Sequence, residues 1–275
     1  MTIVSIGKAW EATVAFVKRE GTLLFPVAFV FIALPLVAFQ QMVPAELKTG
    51  QPQFANAQAI VDAMRPLMLA AIPLSLVTMF GGLSLFALAM RPGISVLEAL
   101  TLGLRRLPVL IGTSLVLAGC AAAAVVVLSI LSALAGAMLG QAGVALILSL
   151  AFIVLGGGII WVGLRLLMLN PLILDRPVGP LDALRQAWPL TLGNFWRLAG
   201  FVIIFFIVAT IAQAALSAVL GVIGGLAGGP TIAALMGDIG AVAVSSVSQV
   251  YIVVMLARIY EQLADDGRGV AALFE

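Results

Sequence analysis

Six stretches of this chain run almost without interruption through apolar residues: Thr22–Met42, Leu67–Met90, Leu107–Leu134, Ala142–Leu169, Leu198–Ile223 and Ile239–Tyr260. Each meets the requirement of about 20 apolar residues for a helix that crosses ~30 Å of hydrocarbon. Three shorter stretches show a one-sided pattern at helical spacing instead. Ile6, Trp10, Val14 and Val17 form a stripe opposite Lys8 and Lys18. Ile94, Leu97, Thr101, Leu104 and Leu107 do so opposite Glu98 and Arg105, and Leu181, Leu184, Trp188 and Leu192 opposite Asp182, Arg185 and Gln186. The pattern predicts an all-α integral membrane protein. Six transmembrane helices are expected, with three interfacial amphipathic helices whose apolar faces rest in the acyl boundary. Trp10, Trp188, Phe195 and Trp196 stand where an aromatic belt is expected. Pro35 and Pro73, inside the first two spans, are expected to kink them.

The same stretches carry an internal repeat. Ser5-Ile-Gly-Lys-Ala9, Ser95-Val-Leu-Glu-Ala99 and Gly179-Pro-Leu-Asp-Ala183 begin 90 and then 84 residues apart. Behind them come Lys18-Arg19, Arg105-Arg106 and Phe195-Trp196-Arg197, with Pro26, Pro108 and Pro189 nearby. The chain therefore reads as a single membrane domain of three degenerate repeats, each an interfacial amphipathic helix plus two spans, over 1–93, 94–177 and 178–275.

Charge placement then predicts orientation. Drawn on six spans, twelve of the fourteen Lys and Arg residues fall on one side: Lys8, Lys18, Arg19, Arg91, Arg105, Arg106, Arg165, Arg176, Arg185, Arg197, Arg258 and Arg268. Only Lys48 and Arg65 fall on the other, balanced by Glu46 and Asp62. Both termini are expected in the cytoplasm, with the first apolar run retained as a span and not removed as a signal peptide. At 63% hydrophobic and 9% charged, with mean hydropathy +1.22, the chain lies far from the ~25% charge of soluble domains. The net charge of +2 comes from cations scattered singly or in pairs, which argues against nucleic acid. There is no histidine and one cysteine, Cys120, so histidine bases, histidine-ligated metals and an internal disulfide are excluded.

The segment Arg165-Leu-Leu-Met-Leu-Asn-Pro171, followed by Asp175-Arg176-Pro-Val-Gly-Pro-Leu-Asp-Ala183-Leu-Arg-Gln-Ala-Trp188-Pro-Leu-Thr-Leu-Gly193-Asn194-Phe-Trp196-Arg197-Leu, resembles a known signature. It is similar to the membrane domain found ahead of some bacterial glycerophosphoryl diester phosphodiesterases and to stand-alone six-helix membrane proteins that share it. Asp175 stands where that family often has Glu, and Ala187 where it often has Ser before the tryptophan. The resemblance implies a shared membrane scaffold in a bacterial inner membrane. It does not imply phosphodiester hydrolysis, since no soluble catalytic domain is expected after Tyr260.

Candidate sites follow from the few polar groups near or within the spans. Arg165, about a turn from a span end, either snorkels to the headgroups, or meets a lipid phosphate or bridges helices. Arg105, Arg106, Arg176, Arg185 and Arg197, with Trp188 and Trp196, are candidates for anionic headgroups, which attract each surface cation by about 1 kcal/mol. Thr210, Gln213 and Ser217 share one helix face and Ser245, Ser248 and Gln249 another, forming either an interhelical polar seam or a wet path. Asp238 reads as an intramembrane acid or as a helix cap. Tyr251 and Tyr260 read as interface anchors. Gly156-Gly-Gly158 and the glycine-rich run Gly221–Gly229 fit close helix packing or an outer hairpin, not a phosphate loop.

Nothing here pairs a nucleophile with a base or sets carboxylates together, so no catalytic residue, metal or cofactor is expected. The expected function is non-enzymatic: lipid binding or envelope organisation, with membrane lipids as partners and no nucleic acid. The alternative is a small transporter or permease subunit for a lipid-like or uncharged amphiphile. A small-residue-rich surface (Ala121–Ala124, Gly136, Gly140, Gly143) leaves room for a protein partner or homo-oligomer.

Overall fold

The computed structural model describes residues 5–43 and 57–271. Lys48 and Glu46 lie outside the described residues, as does the side chain of Arg268. All regular structure among the described residues is helical: α1 (Ile6–Ala28), a π-helical turn (Phe29–Ala33), α2 (Leu34–Met42), α3 (Ala57–Met90), α4 (Val96–Arg165), α5 (Leu169–Asp175), α6 (Pro180–Leu190), α7 (Phe195–Gly228) and α8 (Pro230–Ala271). Five helical stretches are long and apolar enough to cross a membrane: Ile6–Met42, Val61–Met90, Val96–Asp175, Phe195–Gly228 and Pro230–Ala264.

The third of these contains the two central apolar runs. Its helix α4 is 70 residues long, about 105 Å if straight and over three times the hydrocarbon thickness. It is not straight. Gly140 adopts φ 64°, ψ −152°, a region essentially restricted to glycine. A methyl group added at Gly136 would meet Val144 Cγ2 at 2.8 Å, and one at Gly143 would strike the Ala135 carbonyl. Residues eight apart in a straight helix are separated by ~12 Å, so the chain doubles back at Gly140.

The described residues form two compact units. In the larger, of residues 5–107 and 200–271, α1 packs along α8. The Ser5 N–H donates to Gln262 Oε1 at 3.1 Å, and the Thr13 hydroxyl reaches Met255 Sδ at 3.6 Å. The π turn precedes Pro35, which has no N–H to donate and whose ring would clash with the Phe31 carbonyl one turn back. The irregular backbone at Phe31 receives Gly81 of α3, where a side chain would strike the Phe31 Cβ. Beyond the turn α2 packs on α3. α3 is unbroken through Pro66 and Pro73.

Glycine also closes the α7–α8 connection. Gly229 has φ +82°, and Gly224 lies so near α8 that a Cβ there would sit 2.6 Å from the Ile232 carbonyl oxygen. The Ser217 hydroxyl donates across to the Gly237 carbonyl at 2.9 Å. In the smaller unit, of residues 108–199, α5 and α6 pack together.

Two of the three amphipathic stretches are not separate helices. The first runs into its span as α1, and the second forms the opening turns of α4; only the third, α6, stands alone. The first is also turned from its expected face. Ala9, Thr13, Phe16 and Val17 are buried, while Trp10 is 42% exposed, because α8 offers packing that the lipid surface would otherwise supply.

The three similar starts nevertheless share a local design. Ser5 and Gly179 are the N-caps of α1 and α6. Ser95 exchanges bonds with Glu98, its N–H donating to Oε2 at 2.8 Å while its Oγ accepts from the Glu98 N–H at 3.2 Å; this is a capping box. Four residues on, Ala9, Ala99 and Ala183 are all at 0% exposure, and four further on Thr13, Gly103 and Ala187 are buried.

Candidate functional site

The most unusual polar environment lies at the end of α4. Arg165 is its last residue, and the chain leaves in a turn before α5 begins at Leu169. Trp161 lies one helical turn earlier, the spacing at which helix side chains meet. Trp188 comes from α6. Thr191 caps the end of that helix, and Gly193 at φ +85° turns the chain so that Phe195 can open α7. The guanidinium carbon stands 5.5 Å from the Trp161 ring centre, 5.7 Å from Trp188 and 5.0 Å from Phe195. The two indoles meet edge to face at 5.0 Å.

The polar contacts of this cation are sparse. Nη1 donates to the fully buried Thr191 hydroxyl at 3.5 Å, and that hydroxyl donates toward the Trp188 carbonyl at 3.2 Å. Nε is buried without a hydrogen-bond partner. Among the described residues no carboxylate forms an ion pair with Arg165. A guanidinium carries five N–H donors, and an unsatisfied buried donor costs about 1–3 kcal/mol. Cation–π contacts contribute about 0.5–2 kcal/mol each and hold the charge without neutralising it.

Of the other headgroup candidates, only Trp188 shares this cluster. Arg176 is exposed and lies 3.8 Å from Asp175; Arg185 and Arg197 are exposed; Trp196 is 84% exposed beside Phe195. Arg105, exposed, and Arg106, half-buried, belong to the larger unit. Trp161 and Thr191 were not singled out by sequence, although Trp161 stands four residues before Arg165.

In the larger unit the two polar stripes divide. Gln213 and Ser245 line one water-sized void of about 10 Å³ together with Gln40 of α2. Ser217 bonds across to α8, whereas Thr210 donates to the Phe206 carbonyl of its own helix. Ser248 lines a separate apolar groove of about 480 Å³ that ends at Trp10 and Tyr251, whose rings are 5.8 Å apart. Gln249 is half-buried.

Asp238 is no helix cap. α8 begins at Pro230, so Asp238 sits about two turns inside, past the exposed N–H groups a cap would satisfy. Its Oδ2 accepts instead from Gln41 Nε2 at 3.1 Å. Twenty residues separate it from Arg258, about 30 Å of helix and about one hydrocarbon thickness. Arg258 braces the other end. Its Nη1 donates to both Glu261 oxygens at 2.9 and 2.7 Å and its Nη2 to the Ala89 carbonyl at 3.2 Å, while its guanidinium stands 4.6 Å from the Phe16 ring centre. Tyr260, expected as an interface anchor, is 2% exposed and belongs to the packed core; Tyr251 is half-buried.

Among the described residues no three His, Cys, Asp or Glu side chains converge as metal ligands. No family model, curated protein or solved structure matches the chain.

Proposed function

We propose that this protein is a non-enzymatic, multi-pass membrane protein that holds anionic lipid headgroups at the leaflet bearing its basic residues, with Arg165 as the principal contact. The observation that carries the reading is the caged guanidinium. Three aromatic rings fix it, no carboxylate among the described residues pairs with it, and Nε has no partner. A lipid phosphate supplies the missing charge, met through the guanidinium nitrogens other than the buried Nε. Exposed Arg185, Arg197 and Trp196 flank the same helix ends in sequence and suit a headgroup surface.

The reading includes six crossings, with both termini cytoplasmic in a bacterial inner membrane. The reversal at Gly140 supports it by dividing one over-long helix into two limbs of spanning length. A helix start followed four residues on by a fully buried alanine, at Ser5/Ala9, Ser95/Ala99 and Gly179/Ala183, supports a threefold ancestry.

Native mass spectrometry after mild extraction from phosphatidylglycerol-containing membranes tests the lipid reading. Arg165→Gln should lower retained anionic lipid about tenfold, the worth of one charge-assisted hydrogen bond. Arg165→Lys should rescue it partly, since an ammonium lacks the planar fork. Equal retention by wild type and Arg165→Gln would remove the proposal's main support.

A further inference from the structure

A second site of opposite character lies at the far end of α8. Phe25, Phe29, Leu34, Ile239 and Val242 wall an apolar groove of about 610 Å³ between the α1–α2 path and α8. The π-helical turn lies along this groove, Phe29 belonging to both. At one end the groove meets Gln41 and Asp238, which also line an adjoining cavity of about 280 Å³ with Gln40 and Val43. Along α8 the lining extends from Leu235, one turn beyond Asp238, to Ser246, about 17 Å of helix rise and close to the depth of one leaflet's hydrocarbon.

In a bilayer an acyl chain gains little from apolar contact, because lipid tails are as apolar as the wall. Selection must therefore come from the mouth. There the Asp238 carboxylate has about four lone-pair positions and accepts one hydrogen bond, from Gln41. Among the described residues no Lys or Arg pairs with it. The Gln40 and Gln41 amides add N–H donors but no positive charge. A carboxylate beside two amides fits a zwitterionic head, with an ammonium toward Asp238 and a phosphate toward the amides. It disfavours a net-anionic head.

We infer that the groove between α1–α2 and α8 binds a phospholipid with a primary-amine headgroup, its ammonium donating to Asp238 and its chain lying along the π-helical turn. The residues of this site belong to the larger unit, whereas Arg165 belongs to the smaller. In the six-crossing arrangement it serves the opposite leaflet.

The test supplies the full-length protein, in mild detergent, with phosphatidylethanolamine, phosphatidylcholine and phosphatidylglycerol of identical chains, and counts bound lipids by native mass spectrometry. Phosphatidylethanolamine should be retained over phosphatidylcholine, whose quaternary nitrogen has no N–H to donate. Asp238→Asn should cut its retention about tenfold, the worth of a charge-assisted hydrogen bond, and leave phosphatidylglycerol retention unchanged. Arg165→Gln should do the reverse, so the two sites succeed or fail separately. Asp238→Glu should keep the preference. Arg165→Gln protein, whose other site no longer holds anionic lipid, is also offered N-acetylated phosphatidylethanolamine, which lacks the ammonium and is net anionic, and should show the same loss relative to phosphatidylethanolamine. Equal retention of the amine, choline and N-acetylated lipids would overturn the inference. So would a dimer that covers the groove and excludes all three.

Discussion

Replacing Arg258 by methionine keeps most of its apolar stem and removes the guanidinium that ties α1, α3 and α8 together. Three contacts are lost, of unequal value. The ion pair to Glu261 is the weakest despite its two short bonds, because the Glu261 side chain is 37% exposed and such pairs contribute about 0.2–1 kcal/mol. The bond to the Ala89 carbonyl is worth more. Ala89 lies in the last turn of α3, where carbonyls have no intrahelical partner, and a hydrogen bond to a charged group contributes about 1.5–3 kcal/mol. The Phe16 contact at 4.6 Å adds about 0.5–2 kcal/mol. Relief from burying the charge offsets part of the sum, leaving an expected loss of about 2–4 kcal/mol. Titration with sodium dodecyl sulfate from mixed micelles measures it as a change in unfolding free energy. Arg258→Lys should recover less than half, since one ammonium cannot reach three partners in different directions. Combining Arg258→Met with Phe16→Leu should show coupling of about 0.5–1 kcal/mol. An Arg258→Met protein within 0.5 kcal/mol of wild type, or fully additive effects, would refute the bracing role.

Further outcomes concern the backbone and the buried small residues. Gly140→Ala forces a Cβ into a glycine-only conformation and should destabilise the protein by about 1–3 kcal/mol in the same titration, whereas Gly156→Ala, with open space around it, should be neutral. Ala9→Leu, Ala99→Leu and Ala183→Leu, each at a fully buried position, should each cost about 1–3 kcal/mol by overpacking; Leu97→Ala, at a 74% exposed position, should change little. Ser95→Ala removes one half of the capping box with Glu98 and should cost about 1 kcal/mol.

The helical class was legible because hydropathy reports the solvent a segment must meet, whereas of the expected ends only Met42 and Met90 close a helix. The gap left between Leu134 and Ala142 contains Gly140, where the backbone leaves the helix. Continuity was not legible. Nothing in the polar pattern of Ile6–Glu20 shows that it joins the following span, since an amphipathic face serves a lipid surface and a neighbouring helix equally well. Its packing on Met255 and Gln262 depends on residues some 240–260 positions away. Charge alone drew attention to Arg165 and Asp238. Their surroundings required the fold: Trp188, Thr191 and Phe195 reach Arg165 only through the turns around α6, and Gln41 reaches Asp238 from the opposite end of the chain. Trp161 was the exception, visible from its spacing to Arg165.

Which side each proposed headgroup site serves depends on where the chain crosses the bilayer, and the turn at Gly140 is the most direct place to measure it. Cys120 is the only cysteine, so a Cys120→Ser background permits single cysteines at Gln141, Arg176 and Asp182. Intact cells treated with a membrane-impermeant maleimide should label the cysteine at 141, while those at 176 and 182 react only after the membrane is opened. Labelling of 176 in intact cells, or the same accessibility at 141 and 176, would contradict six crossings and the placement of both lipid sites.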